Sequence, residues 1–490
     1  MRKIYDLLAE LVAKIKAYPS TFEPEDLTEE SECRLVADVQ NLLLLHKNEL
    51  SNCALYGLPI ETYNEIISWA ISRNNYYLYR IMLCMIDSDP LVALEQSISN
   101  KKSAGFISLN DNFEETGIYI LPQVAGPKTT YSVKSRTDET QEITIVRKTA
   151  DEWADNLNAQ LNNFYYICNT DLDGFTLRNY VCDLTYNDPS IKELKVAVSP
   201  LLNLPIDDVL SYDDTIIETD ECGNEYRLFD ILHVKPESEI LTRIQDGYRT
   251  ASEHGANILM FPEMLGIEAI YSLDSLGYNP IFRTLCKETA DFVPQLILAP
   301  SLWKANTNSV NIYLSSGKKL CVQEKQHRYS FRGKNGKCKE NLKDIDRTIS
   351  ILHVPGWGRI VVPICIDFLN EPYRHLLVTK LKADILLCPS YSSGEYNFLS
   401  AIDAYSEYGA YTVWLNTCSA LNRKVGDVPE LVGAASAPVV SSHSRIVRFC
   451  PTCAGNCLKG CLFMVSLPLD CAGSSQYEGR GVAVEHIVLK

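Results

Sequence analysis

Hydrophobic positions recur at three- and four-residue spacing through the first hundred residues. This predicts helices over 1–18, 33–50, 60–86 and 90–99, with breaks around Pro19, Gly57, Pro59 and Pro90. From 104 to 148 the period drops towards two, as in GIYILPQV and ETQEITIVRK, with PKTTYS and RTDET as turns, so a few antiparallel strands are expected there. A helix is expected at about 150–167. Near residue 190 the pattern changes again. LKVAVSPL (194–201) reads as a short apolar strand, and a polar stretch from PIDDVLSYDD to DECGNE follows it. Next come a helix with Ile240, Leu241, Ile244, Tyr248 and Ala251 on one face, a turn at His254-Gly255, and the strand-like run ANILMFPE. Similar apolar runs are QLILAP (295–300), SVNIYLSS (309–316), RIVVPICID (359–367), ADILLCPS (383–390) and AYTVWLNT (410–417). Strands alternating with helices and loops imply an α/β domain over 191–490. A mainly helical, partly β domain over 1–190 precedes it.

Charge narrows the partners. The 46 Lys and Arg against 62 Asp and Glu give a net charge of −16, which repels phosphate backbones and argues against a nucleic-acid binder. No apolar run approaches the roughly 18–20 residues needed to cross a bilayer. Asp6, Glu10, Lys14 and Lys16 interrupt the first apolar segment, which reads as an amphipathic helix and not as a signal core. A cytoplasmic protein without a membrane partner is therefore expected, with its 17 cysteines as reduced thiols. The acidic run EPEDLTEESE (23–32) reads as a solvated loop or helix start.

Three segments each place a reactive side chain just past a buried strand, where open α/β sheets build their sites. GANILMFPEM delivers Glu263, KLCVQEKQH delivers Lys325 and RIVVPICID delivers Cys365. Together these groups suit acyl transfer: a carboxylate takes the thiol proton, the thiolate attacks an electrophilic carbon, and an ammonium stabilises the oxyanion.

In these segments the C-terminal 300 or so residues resemble the nitrilase, or carbon–nitrogen hydrolase, superfamily. The order and the separations of 62 and 40 residues match its Glu-Lys-Cys triad. Gly255-Ala256, Asn311 and Gly317, Pro355-Gly356 and Gly358, ADILLCPS and DAYSEYGAYTVWLN look like further counterparts. The resemblance implies a four-layer αββα sandwich, with Glu263 as general base, Lys325 as oxyanion stabiliser and Cys365 as nucleophile. It also implies the backbone amide of Ile366 as a second oxyanion donor and Glu340 as a second glutamate orienting the lysine and water. Cys365-Ile366-Asp367 leans towards the amidase and carbamoylase branches. A small-molecule amide substrate, no catalytic cofactor and a homodimer or larger assembly follow from the same likeness.

Other features carry alternatives. Cys450, Cys453, Cys457 and Cys461 form a C-x2-C-x3-C-x3-C pattern that suits a structural Zn2+ clip, with an iron–sulfur cluster or free thiols as the other readings. Cys388 and Cys418 read as small buried hydrophobes. Residues 318–347 carry ten Lys and Arg against four Asp and Glu, either to steer an anionic substrate or partner or as a solvated loop. Tyr212-Asp213-Asp214 resembles the paired carboxylates of polymerase palms, but nothing else palm-like accompanies it. Two functional readings follow: a thiol hydrolase of non-peptide amide or carbamoyl bonds, or a nitrilase-like effector or scaffold subunit of a multi-component system, defence included, with residues 1–190 binding a protein partner.

Overall fold

A computed structural model describes residues 2–18, 28–53, 58–88, 105–109, 113–123, 130–134, 140–144, 157–158, 161, 163–184, 193–289, 294–333, 336–343, 345–421, 430–438, 446–451, 460–469 and 482–489. The chain divides into two units, one of residues 1–125, 148–189 and 351–358 and the other of residues 126–147, 190–350 and 359–490.

In the smaller unit, helix α1 (Ile4–Lys16) buries Ile4, Leu7, Leu8, Leu11, Val12 and Ile15 along one face, as its apolar spacing requires. The Asp6 carboxylate accepts the Lys3 N–H at 2.8 Å and so closes its first turn. Helix α2 (Glu29–Leu45) starts earlier than expected, because the Thr28 hydroxyl caps it and the acidic run supplies its first turn. After α3 (Lys47–Cys53), the segment expected as one helix over 60–86 is two, α4 (Ile60–Arg73) and α5 (Tyr76–Ser88). Asn74 separates them in the left-handed conformation, φ 44°. Strand β1 (Gly105–Leu109) pairs with β6 (Thr176–Asp183), and β2 (Ile118–Pro122) with β5 (Phe164–Cys168), both antiparallel. The helix expected at 150–167 is corrected at its end. The aromatic and β-branched run FYYIC is the strand β5, and the buried Asp87 carboxylate receives the N–H groups of Asn163 and Phe164 at its start. The helix expected at 90–99 lies outside the described residues.

The larger unit contains a short hairpin, β3 (Thr130–Lys134) with β4 (Thr140–Thr144), and three sheets. One runs β12 (Leu302–Lys304), β13 (Thr307–Leu314), β11 (Leu296–Leu298), β10 (Ile258–Met260), β7 (Glu193–Val198), β23 (Cys461–Pro468), β24 (Ala483–Val488), with β14 (Lys319–Glu324) also on β13. Its β7, β10 and β11 are parallel. Helix α6 (Glu237–Glu253) buries Ile240, Ile244, Tyr248 and Ala251 in the same core as Leu259, Ile297 and Phe282, the last from helix α7 (Pro280–Glu288). Another sheet carries β18 (Gly358–Val361), β19 (Ile385–Pro389) and β20 (Tyr411–Leu415) in parallel, continued antiparallel by β21 (Gly433–Ser436) and β22 (Val447–Phe449). All residues of β19 and β20 are buried, as strands covered on both faces must be. Helix α9 (Tyr396–Glu407) stacks Phe398 on Trp414 of β20, with ring centroids 4.6 Å apart. Strand β17 (Thr348–Val354) is buried along its whole length.

The third sheet was not expected. The polar stretch after residue 205 forms two ten-residue strands, β8 (Leu210–Thr219) and β9 (Glu225–Val234), which join β16 (Gly336–Glu340) and β15 (Ser330–Gly333) in the order β15-β16-β9-β8. Tyr212-Asp213-Asp214 lies on β8, where the register shifts. Cys388, on β19, and Cys418, at the start of a helical turn, are both buried as expected. In the cysteine quartet, Cys450 is exposed just after β22 and Cys461 is buried at the start of β23, while Cys453 and Cys457 lie outside the described residues. Among the described residues no three metal-ligating side chains cluster, and no helix is long and apolar enough to cross a membrane.

Candidate active site

Four elements of the larger unit end at one buried cluster. Glu263 lies three residues past β10, Lys325 directly follows β14, Glu340 ends β16, and Cys365 starts the helical turn α8 (Ile366–Leu369) beyond β18. The β13–β14 register, with Ser309 opposite Glu324, brings Lys325 to Asn308, whose carbonyl accepts the Lys325 N–H at 2.8 Å. The chain turns sharply after Glu263: Met264 has φ 64°, and its N–H donates to the Ser301 hydroxyl at 2.8 Å.

The Lys325 ammonium is wholly buried and donates to Glu263 Oε1 at 2.7 Å and to Glu340 Oε1 at 2.6 Å. Burial alone would depress its pKa, but the two carboxylates outweigh burial and hold it well above the ordinary lysine value. Every oxygen of Glu263 is engaged. Oε1 accepts from Asn308 Nδ2 at 2.8 Å as well as from Lys325, and Oε2 accepts the Tyr391 N–H at 2.9 Å. Glu340 Oε2 accepts the Tyr329 N–H at 2.7 Å. Burial pushes the Glu340 carboxyl up to about 7, against the downward pull of Lys325.

Cys365 is buried and its backbone is strained, with φ 51° and ψ −108°, a combination that favours glycine. Its N–H donates to the Pro389 carbonyl at 3.0 Å, which sets the turn against the end of β19. Burial, reinforced by the charge of Glu263, raises its thiol well above the usual range, and Lys325 offsets this only in part. The resting sulfur therefore carries its proton, and a base must remove it before attack. The Ile366 N–H at the first position of α8 has no acceptor among the described residues.

Two further residues organise the cluster. Asn308 braces Glu263, whereas Asn311, singled out in the sequence, donates to the Tyr313 hydroxyl at 2.8 Å. The buried Asp367 accepts from the backbone N–H groups of Gln326 (3.0 Å), His327 (2.8 Å) and Ile364 (3.3 Å), and meets His327 Nδ1 at 2.8 Å. The only advance trace of Asp367 was its place in Cys-Ile-Asp, and Asn308 had none.

The basic stretch over 318–347 is partly neutralised. Arg328 donates to both oxygens of Glu218 at 2.9 Å and Lys339 to one at 3.1 Å, and these cations hold the Glu218 carboxyl below its ordinary range against the effect of burial. Arg328 Nε also donates to the Glu340 carbonyl at 2.6 Å, so β8 is tied to the site.

No protein-family model matches the chain, and no curated protein matches it. Among solved structures it is similar to an amidase from Nesterenkonia sp., at 14% identity over 56% of this chain and 91% of that one, TM-score 0.36. A cysteine-to-alanine variant of the Nesterenkonia AN1 amidase from the nitrilase superfamily matches at 14% identity, 56% and 90% coverage and TM-score 0.36. A further structure of that amidase, after removal of its tag, matches over 61% of this chain and 93% of that one at 13% identity, TM-score 0.32.

Proposed function

We propose that this protein is a thiol hydrolase of nitrilase type, a four-layer αββα sandwich over residues 191–490, that cleaves a non-peptide amide or carbamoyl C–N bond. The observation that carries this reading is the fully buried Lys325 ammonium bonded to both Glu263 and Glu340 beside the Cys365 thiol. A buried ion cluster of this kind is a poor source of stability, so its presence points to chemistry.

In the proposed cycle a Glu263 oxygen takes the Cys365 proton as the sulfur attacks the carbonyl carbon. The oxygen of the tetrahedral intermediate collects negative charge and is met by Lys325 Nζ and the Ile366 N–H, each such donor supplying about 10²–10³ in rate. Glu263 returns the proton to the nitrogen, the C–N bond breaks, and ammonia or an amine leaves a thioester on Cys365. Water then attacks the thioester with Glu263 again as base, releasing the acid and the thiol. Glu340 steadies Lys325 throughout.

Ammonia release from a panel of short neutral amides, with intact-protein mass spectrometry for an acyl adduct, tests this reading. The wild-type protein is expected to release ammonia and to carry the adduct on Cys365, and Cys365→Ala to do neither while folding normally. No ammonia and no adduct from any amide of the panel, or equal turnover by Cys365→Ala, would overturn it.

A further inference from the structure

The loop carrying Lys325 and the turn carrying Cys365 come from strands of different sheets, yet the proposed reaction needs their tips in fixed relation. One buried carboxylate spans them. Asp367, 1% exposed, lies two residues past Cys365 and accepts the N–H groups of both residues that follow Lys325, Gln326 at 3.0 Å and His327 at 2.8 Å. It also takes the Ile364 N–H, one residue before Cys365, at 3.3 Å. Three backbone donors around one buried carboxylate form a clamp whose partners are main-chain groups, so no side-chain rearrangement relaxes it. An unmade bond of this kind leaves a buried N–H unsatisfied.

We infer that Asp367 is a positioning residue that locks the lysine loop to the nucleophile turn, acting through the main chain at 326 and 327, with the His327 ring a secondary contact. The inference rests on the proposed roles of Lys325 and Cys365. Asparagine at this position would aim an NH2 group at donors, and the Lys325 ammonium would no longer be held where an oxyanion develops. A displacement of about 1 Å at such a site costs on the order of 10²-fold in rate.

Two reagents separate position from integrity, and neither requires the natural substrate. Addition of Cys365 to acrylamide builds negative charge on the carbonyl oxygen and so draws on Lys325, whereas alkylation by iodoacetamide needs only an accessible, deprotonated thiol. Peptide mapping of Cys365, with the other cysteines as internal reference, gives both rates. Asp367→Asn is expected to lower the acrylamide rate at least 10-fold while the iodoacetamide rate stays within 3-fold, and His327→Phe is expected to change neither by more than 3-fold. Equal loss of both rates in Asp367→Asn, or an unchanged ratio, would overturn the inference, as would a loss in His327→Phe that matches that of Asp367→Asn. If Asp367→Asn does not fold, hydrogen exchange of the wild-type protein decides: slow exchange at the amides of Gln326 and His327 supports the clamp, and exchange at the rate of exposed amides overturns it. A protein that turns over no amide, yet shows the Asp367→Asn change in ratio, would sink the hydrolase reading and leave the clamp intact.

Discussion

Lys325 Nζ and Glu340 Oε1 are 2.6 Å apart and both side chains are closed to solvent, so the charge on Glu340 decides how firmly the ammonium is held. Burial raises this carboxyl from 4.5 to about 7. The folded chain thus keeps a proton there that the unfolded chain releases at lower pH. The contribution of this group to stability is complete below about pH 4.5 and is lost as pH rises through about 7. In the proposed reaction activity has the opposite sense, because there the ionised form steadies Lys325. Acrylamide addition at Cys365 is therefore expected to rise through about pH 7 in the wild-type protein. In Glu340→Gln that limb disappears and the rate drops about 10²-fold. The denaturation midpoint of the variant should also climb relative to wild type between pH 4.5 and 7. A pH-rate limb unchanged by the substitution would remove Glu340 from the reaction.

At the scale of elements, what could be read in the sequence depended on how local its cause is. Glu263, Lys325 and Cys365 each follow an apolar run that is legible without any partner, and the runs at 383–390 and 410–417 were legible as buried strands for the same reason. Asn308 and Asp367 were not, because their roles exist only once distant segments meet: Asn308 and Glu263 are 45 residues apart, His327 and Asp367 40. The hairpin β8–β9 escaped because its two register shifts break the alternation that marks a strand. Strand β5 was absorbed into an expected helix because its run of consecutive buried residues has no period of two. The turn joining β13 to β14 shows how an element sets the chemistry. Gly317 has φ 78°, and a Cβ there would lie 2.8 Å from both Arg283 N and Asn279 O, which are backbone atoms. Gly317→Ala is expected to lower stability by about 2–4 kcal/mol, combining left-handed strain with overpacking. It should also slow acrylamide addition by shifting the register that delivers Lys325. Urea unfolding and the Cys365 adduct rate measure the two effects, and a stability change under about 0.5 kcal/mol, the range of an ordinary surface substitution, would show that the turn tolerates a side chain.

For the whole molecule, the excess of acidic over basic residues is repeated in miniature at the cluster. Glu263 and Glu340 lie buried around a single lysine, while Arg328 and Lys339, the nearby cations, are spent on Glu218. In the proposed reaction such a cluster would select by electrical exclusion before shape is consulted. A visitor bearing its own carboxylate next to the bond to be cut would meet two acids and no spare cation among these groups, whereas an uncharged one would enter without that penalty. Competition between a neutral diamide and its half-acid of equal length reads this directly, with the diamide expected to be consumed at least 10-fold faster at low ionic strength. Equal consumption of the two would show that the charge of the cluster does not govern the choice.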